Sequence, residues 1–287
     1  MALNLQTLRT RSLTAAIYAL VMLAGIFTGP WSFFLLFTFI HFGCWYEYQK
    51  LLAKIDPGYL QISPLHKYGF QLAGWCMMLF ATNDYFHFNA LYLHQLGFYI
   101  GLTLVFVLPL VEFLFSKELS LKNFGYSAFG LLYISLSWSL MISLRTYNMI
   151  TDSDRGWVYP ALLIFSIWIN DTMAYIVGSL IGKTPFSPIS PKKTWEGTIG
   201  GAILCCLVIG FAGSRLLDVP VKAAFVIAAI AAILGTIGDL LESKFKRMAL
   251  VKDSGSIMPG HGGFLDRFDS LLLATPFAWI YAWYFLG

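Results

Sequence analysis

Between Ser243 and Asp269 the chain reads SKFKRMALVKDSGSIMPGHGGFLDRFD, and residue types suited to phosphate and metal crowd into it. Lys244, Lys246, Arg247 and Lys252 supply cations; Asp253, Asp266 and Asp269 supply carboxylates. Pro259, Gly260, Gly262 and Gly263 break any helix there and let backbone N–H groups come close to a ligand. Just upstream, helical spacing places Asp239, Ser243 and Lys246 at i, i+4 and i+7 on one face, with Glu242 beside them. Such a face can hold a metal and a phosphate together, although plain i,i+4 pairing explains it without a ligand. Asp266 and Asp269, at i and i+3, share a face at the start of a helix. A helix N-terminus favours carboxylates for its own sake, and with Asp239 the same pair makes a magnesium site from hard oxygen ligands. His261, flanked by glycines, is either a phosphate contact, an acid–base group or a loop cap.

Two further places carry possible chemistry. Asp171 falls inside the apolar run FSIWINDTMAYIVG. An ionised side chain at mid-bilayer costs about 2.5–3.5 kcal/mol on insertion scales, so function is the default reading, ahead of an interhelical hydrogen bond. The loop SPISPKKTWEG follows. Ser190-Pro191 reads as an N-cap with Pro at the first helical position, which puts Lys192 and Lys193 in the first helical turn. Lysines oppose the dipole there unless an anion binds; flanking positive charge on an inner loop accounts for them equally well. Gly178–Thr184, GSLIGKT, imitates a phosphate-binding loop but has three residues between its glycines where four are needed, and it lacks a preceding strand.

The elements that hold these residues are membrane helices. The chain has 287 residues, 58% hydrophobic and 12% charged, against about 25% charged in a soluble domain. Nine spans are expected, roughly Leu13–Phe27, Trp31–Leu52, Tyr68–Thr82, Leu91–Phe115, Tyr126–Leu144, Trp157–Ile181, Thr198–Leu217, Val221–Leu241 and Phe268–Leu286. The fold class is therefore all-α: a polytopic membrane helix bundle of about nine helices, one embedded domain over residues 1–287. Within it, residues 1–150 form N-terminal spans without an assigned role, and 151–287 carry the catalytic spans and loops. With the N-terminus inside, only Arg145, Arg155, Arg215 and Lys222 of the 19 lysines and arginines fall outside. Ser243–Asp269 and Lys183–Gly197 then face the cytoplasm. Glu47 and Glu112, near span ends, read as interfacial charges that snorkel to water. Cys44, Cys76, Cys205 and Cys206 lie in apolar runs and read as core residues rather than disulfides or zinc ligands.

The C-terminal residues resemble the signature of the phosphatidate cytidylyltransferases, also called CDP-diacylglycerol synthases. The matching positions are Ser243, Lys246, Arg247, Lys252, Asp253, Gly255, Pro259, His261, Gly262, Gly263, Asp266, Arg267 and Asp269. The SPKKTWEG loop and Asp171 look like family features too, and the resemblance spans about residues 160–287. It implies CTP and phosphatidate as substrates, CDP-diacylglycerol and pyrophosphate as products, and Mg2+ with room for a second cation. Asp239, Asp266, Asp269 and Asp171 are then the metal ligands. Asp239, Asp266, Lys246, Arg247 and His261 are the catalytic set. Lys192, Lys193, Thr194, Ser243, Lys252, Asp253, Gly262, Gly263 and Arg267 bind the phosphates of nucleotide and lipid. The bilayer is the expected partner, nucleic acid is not, a homodimer is expected by analogy, and the expected location is a bacterial inner membrane. The rival readings are a CTP-dependent polyprenol or dolichol kinase, which would release CDP, and an ion-coupled transporter with Asp171 and Asp239 as a midplane relay.

Overall fold

The structure is a computed structural model that describes the backbone of residues 5–115, 120–146, 155–257 and 262–285, with side chains for all of these except 5–11 and 115. Pro259, Gly260 and His261 therefore lie outside the described residues. In chain order the helices are α1 (Leu5–Phe27), α2 (Pro30–Ile55), α3 (Pro64–Phe80), α4 (Leu93–Phe115), α5 (Leu121–Gly130), α6 (Leu136–Thr146), α7 (Val158–Ile181), α8 (Trp195–Leu216), α9 (Val221–Met248) and α10 (Leu265–Phe285). A π-helical turn at Leu131–Ser135 joins α5 to α6. A 3-10 turn at Pro57–Gln61 and two short antiparallel hairpins complete the described elements: β1 (His87–Phe88) with β2 (Leu91–Tyr92), and β3 (Pro185–Ser187) with β4 (Ser190–Thr194).

Local chemistry sets the helix ends. Pro30 and Pro64 occupy the first turns of α2 and α3, where their missing N–H costs nothing. Ser63 and Ser120 accept hydrogen bonds from His66 N and Asn123 N as N-caps. Helices fall on all nine expected spans. Among the described residues five segments are long and apolar enough to cross a membrane: Leu93–Leu114, Leu121–Thr146, Val158–Ile181, Trp195–Leu216 and Val221–Met248. Large apolar side chains such as Val105, Phe106, Phe113 and Leu114 on α4 are more than three-fifths exposed. An apolar outer surface of that kind belongs in lipid, and the protein is a multi-pass membrane protein.

The residues group into two compact units, Met1–Thr146 with Met248–Arg267, and Tyr147–Arg247 with Phe268–Gly287. In the first, Phe33, Phe37, Trp45, Ile134, Trp138 and Met141 are fully buried. Ser135, on the π-helical turn, accepts from Trp45 Nε1 at 2.8 Å and lies 3.1 Å from His41 Nε2, giving the indole a partner inside an apolar core.

In the second unit small residues bring backbones together. A Cβ on Gly197 would collide with Ala174 O, and one on Gly201 with Ala174 N, so α7 and α8 touch along a stripe of small residues at four-residue spacing. Gly178 sits in that stripe, so the glycine of the false phosphate-loop motif is a packing residue. A Cβ on Gly238 would likewise strike Asp269 O, which fixes the close approach of α9 and α10.

Two sequence expectations change. Lys192 and Lys193 are not in a first helical turn: they lie on β4, and α8 begins only at Trp195, capped by Thr194 Oγ1, which accepts from Gly197 N at 3.2 Å. Pairing of Pro185 with Thr194 keeps the stretch extended, and of two serviceable caps the chain uses the later one. Glu47 does not snorkel: it is 3% exposed and wholly inside the first unit. Glu112 lies 2.8 Å from the buried His66 Nδ1, so an intramolecular partner holds it too.

Candidate active site

The end of α9 builds the centre of the second unit. Because α9 runs unbroken to Met248, Asp239, Glu242, Ser243 and Lys246 emerge on one face. Ser243 Oγ donates to Asp239 Oδ1 at 3.2 Å. Lys246 pairs with Glu242, one turn back. From β4, Lys193 Nζ reaches Asp239 Oδ2 at 2.5 Å. From α10, Asp269 joins them, its Oδ1 accepting the N–H of Ser270 at 2.7 Å. One oxygen each from Asp239, Glu242 and Asp269 lies within 4.8 Å of the others. Asp171, with Asn170 Nδ2 3.4 Å from its Oδ1, stands near enough for its charge to act on Asp269, as do Asp239 and Lys246.

Electrostatics decides what such a cluster can do. Glu242 is 1% exposed and Asp269 8%. Two carboxylates at this separation repel by about 3–4 kcal/mol at an effective dielectric of about 20. Lys193 and Lys246 offset part of that. The donor set is all hard oxygen, two carboxylates from α9 and one from α10, which fits a divalent cation that shares its remaining positions with phosphate oxygens and water. Lys192 and Arg247 are exposed nearby in sequence.

The glycine-rich segment belongs to the first unit. Asp266 Oδ2 accepts from Ser254 N and Gly263 N, both at 2.8 Å, and lies 2.8 Å from Ser254 Oγ. Gly262 has φ +83°, a left-handed conformation that favours glycine, and a Cβ there would meet the Asp266 carboxylate. Lys252, Asp253 and Arg267 are exposed. The structure thus gathers Asp239, Glu242, Ser243, Lys246, Lys193, Asp269 and Asp171 in one unit, and Asp266, Gly262 and Gly263 in the other. Thr194 is spent as a helix cap.

Sequence reasoning gave no site role to two carboxylates of note. Glu196, in the first turn of α8, accepts from Lys183 N at 3.1 Å and from Thr184 Oγ1 at 2.8 Å, tying the hairpin to the helix. Glu47 holds the glycine-rich segment. An acidic residue in an apolar helix was the available signal for Glu47, and its position in the N-terminal half hid the partner.

A family model for cytidylyltransferases matches residues 9–285. The chain belongs to the cytidylyltransferase family. The match extends the resemblance from the C-terminal half to nearly the whole chain, so α2 and Glu47 lie within it. A Bacillus subtilis protein named phosphatidate cytidylyltransferase is 30% identical over 94% of this chain and 96% of its own length. A protein of the same name from Aquifex aeolicus is 34% identical over 68% of this chain and 71% of its own. Another, from Staphylococcus haemolyticus, is 44% identical over 45% of this chain and 50% of its own.

Proposed function

We propose that this cytidylyltransferase joins CTP to phosphatidate, forming CDP-diacylglycerol and releasing pyrophosphate. The observation that carries the reading is the convergence of Asp239, Glu242 and Asp269 with Lys193 and Lys246 at the junction of α9, α10 and β4. Carboxylates alone suit a cation, and lysines alone suit an anion. Interleaved, they suit a cation and a polyphosphate together. The names of the relatives supply the substrates.

In this reading an oxygen of the lipid phosphate forms a bond to the α-phosphorus of CTP as the bond from that phosphorus to the pyrophosphate oxygen breaks. The attacking phosphate is already an anion, so positioning and charge neutralisation do most of the work. Asp239, Asp269 and Asp171 would hold Mg2+, with Glu242 beside them. The cation supplies charge neutralisation on the triphosphate when bound. In the second unit Lys192, Lys193, Lys246 and Arg247 draw in the phosphates of nucleotide and lipid, and in the first unit Lys252 and Arg267 carry charge suited to the same groups. Ser243 orients Asp239 through its hydrogen bond. The distribution of lysine and arginine supports an inward-facing site, and the bacterial relatives support a bacterial inner membrane as its location.

Incubation of purified protein with CTP, phosphatidate and Mg2+ tests the reaction through its leaving group. Pyrophosphate is expected; CDP would mean γ-phosphoryl transfer to the lipid and would overturn the reading.

A further inference from the structure

Glu47 sits in α2, among apolar residues, with 3% of its surface exposed. A carboxylate is costly in such a place and persists where partners compensate it. Its partners lie more than two hundred residues along the chain, in the same compact unit. Ser254 Oγ is 2.8 Å from Glu47 Oε2, and Leu265 N donates to the same oxygen at 2.9 Å. Leu265 opens α10, so its N–H is one of the donors a helix start leaves without an intrahelical acceptor. A Cβ on Gly255 or on Gly263 would collide with the Glu47 carboxylate. Both limbs of the segment therefore close on Glu47 with bare backbone. Ser254 Oγ is also 2.8 Å from Asp266 Oδ2, so one hydroxyl lies between the two carboxyl groups.

We infer that Glu47 is a positioning residue for the reaction: from α2 it clamps Ser254, Gly255, Gly263 and Leu265, and so sets the placement of Asp266. The inference rests on the proposed cytidylyl transfer for its kinetic readout alone. Its structural readout is independent of any activity.

Hydrogen exchange on the full-length protein in detergent gives that structural readout. In Glu47→Gln one oxygen becomes an NH2 group that cannot accept. Peptides covering Ser254–Leu265 should exchange faster, with α4, α7 and α8 unchanged. Ser254→Ala, a smaller change, should loosen the same peptides. In the kinetic arm, Glu47→Gln should lower kcat/KM for CTP by about 10- to 100-fold per folded molecule, the scale of residues that orient ligands from behind. Glu47→Asp should restore part of it. Unchanged exchange of those peptides in both Glu47→Gln and Ser254→Ala would overturn the inference, whatever the activity. So would Glu47→Gln protein with wild-type kcat and KM per folded molecule. Wild-type protein that makes no CDP-lipid would instead overturn the proposed reaction and leave the exchange result to decide the clamp.

Discussion

Lys193 shows how much a single side chain is asked to do. It reaches across from β4 to Asp239 at 2.5 Å while only partly exposed, so it tempers the carboxylates and adds a positive charge to the proposed triphosphate site. Lys193→Gln should raise KM for CTP by about tenfold, the scale of one charge-assisted contact near 1.4 kcal/mol, with a smaller change in kcat. Steady-state kinetics at saturating phosphatidate measures both. Away from the site, Asp56 accepts from Gly58 N at 3.0 Å and meets Lys122 Nζ at 2.7 Å. The Lys122 ammonium holds its carboxyl below the usual carboxylate range. A depressed folded pKa means that the contribution to stability is present above the ordinary Asp value of about 4 and is lost as pH falls through the lower, folded value. The melting temperatures of wild type and Asp56→Asn should therefore differ at neutral pH and converge in acid. At this scale the sequence was informative where spacing was local, as for Asp239, Ser243 and Lys246 on one helical face. It misread Glu47 as an interfacial charge, because no local pattern reports a partner two hundred residues away.

Helix packing turns those side chains into a site. Gly238 precedes Asp239, and a Cβ there would strike the backbone of Asp269. In an isolated helix Gly→Ala stabilises by about 0.5–1 kcal/mol. Here the clash should reverse the sign and cost about 1–3 kcal/mol, as overpacking does. Gly238→Ala protein should melt earlier and bind divalent cation less tightly, because α9 and α10 are forced apart at the carboxylates. A higher melting temperature would show that the two helices do not depend on this contact. The helices were legible because a bilayer demands long apolar helices and leaves few alternatives. The start of α8 was not. Ser190-Pro191 and Thr194 are both good helix starts, and only hairpin pairing with Pro185, a tertiary fact, selects the second.

Over the whole molecule, charge sorts by position. In the second unit Arg155 Nη1 meets Asp218 at 3.3 Å, joining the start of α7 to the end of α8, whereas Lys193 meets Asp239 at the other ends of α8 and α9. With the site inward, a cysteine placed at Lys192 in sealed right-side-out vesicles should resist an impermeant thiol reagent, and one placed at Asp218 should react; the reverse pattern would invert the orientation. The central claim is that carboxylates from α9 and α10 together hold one divalent cation. Electron paramagnetic resonance of Mn2+ titrated into the purified protein reads this directly. Wild type should bind Mn2+; Asp239→Asn and Asp269→Asn, both still folded, should each bind it at least tenfold more weakly, with a double variant little worse than either. Wild-type Mn2+ affinity in both single variants would contradict the account.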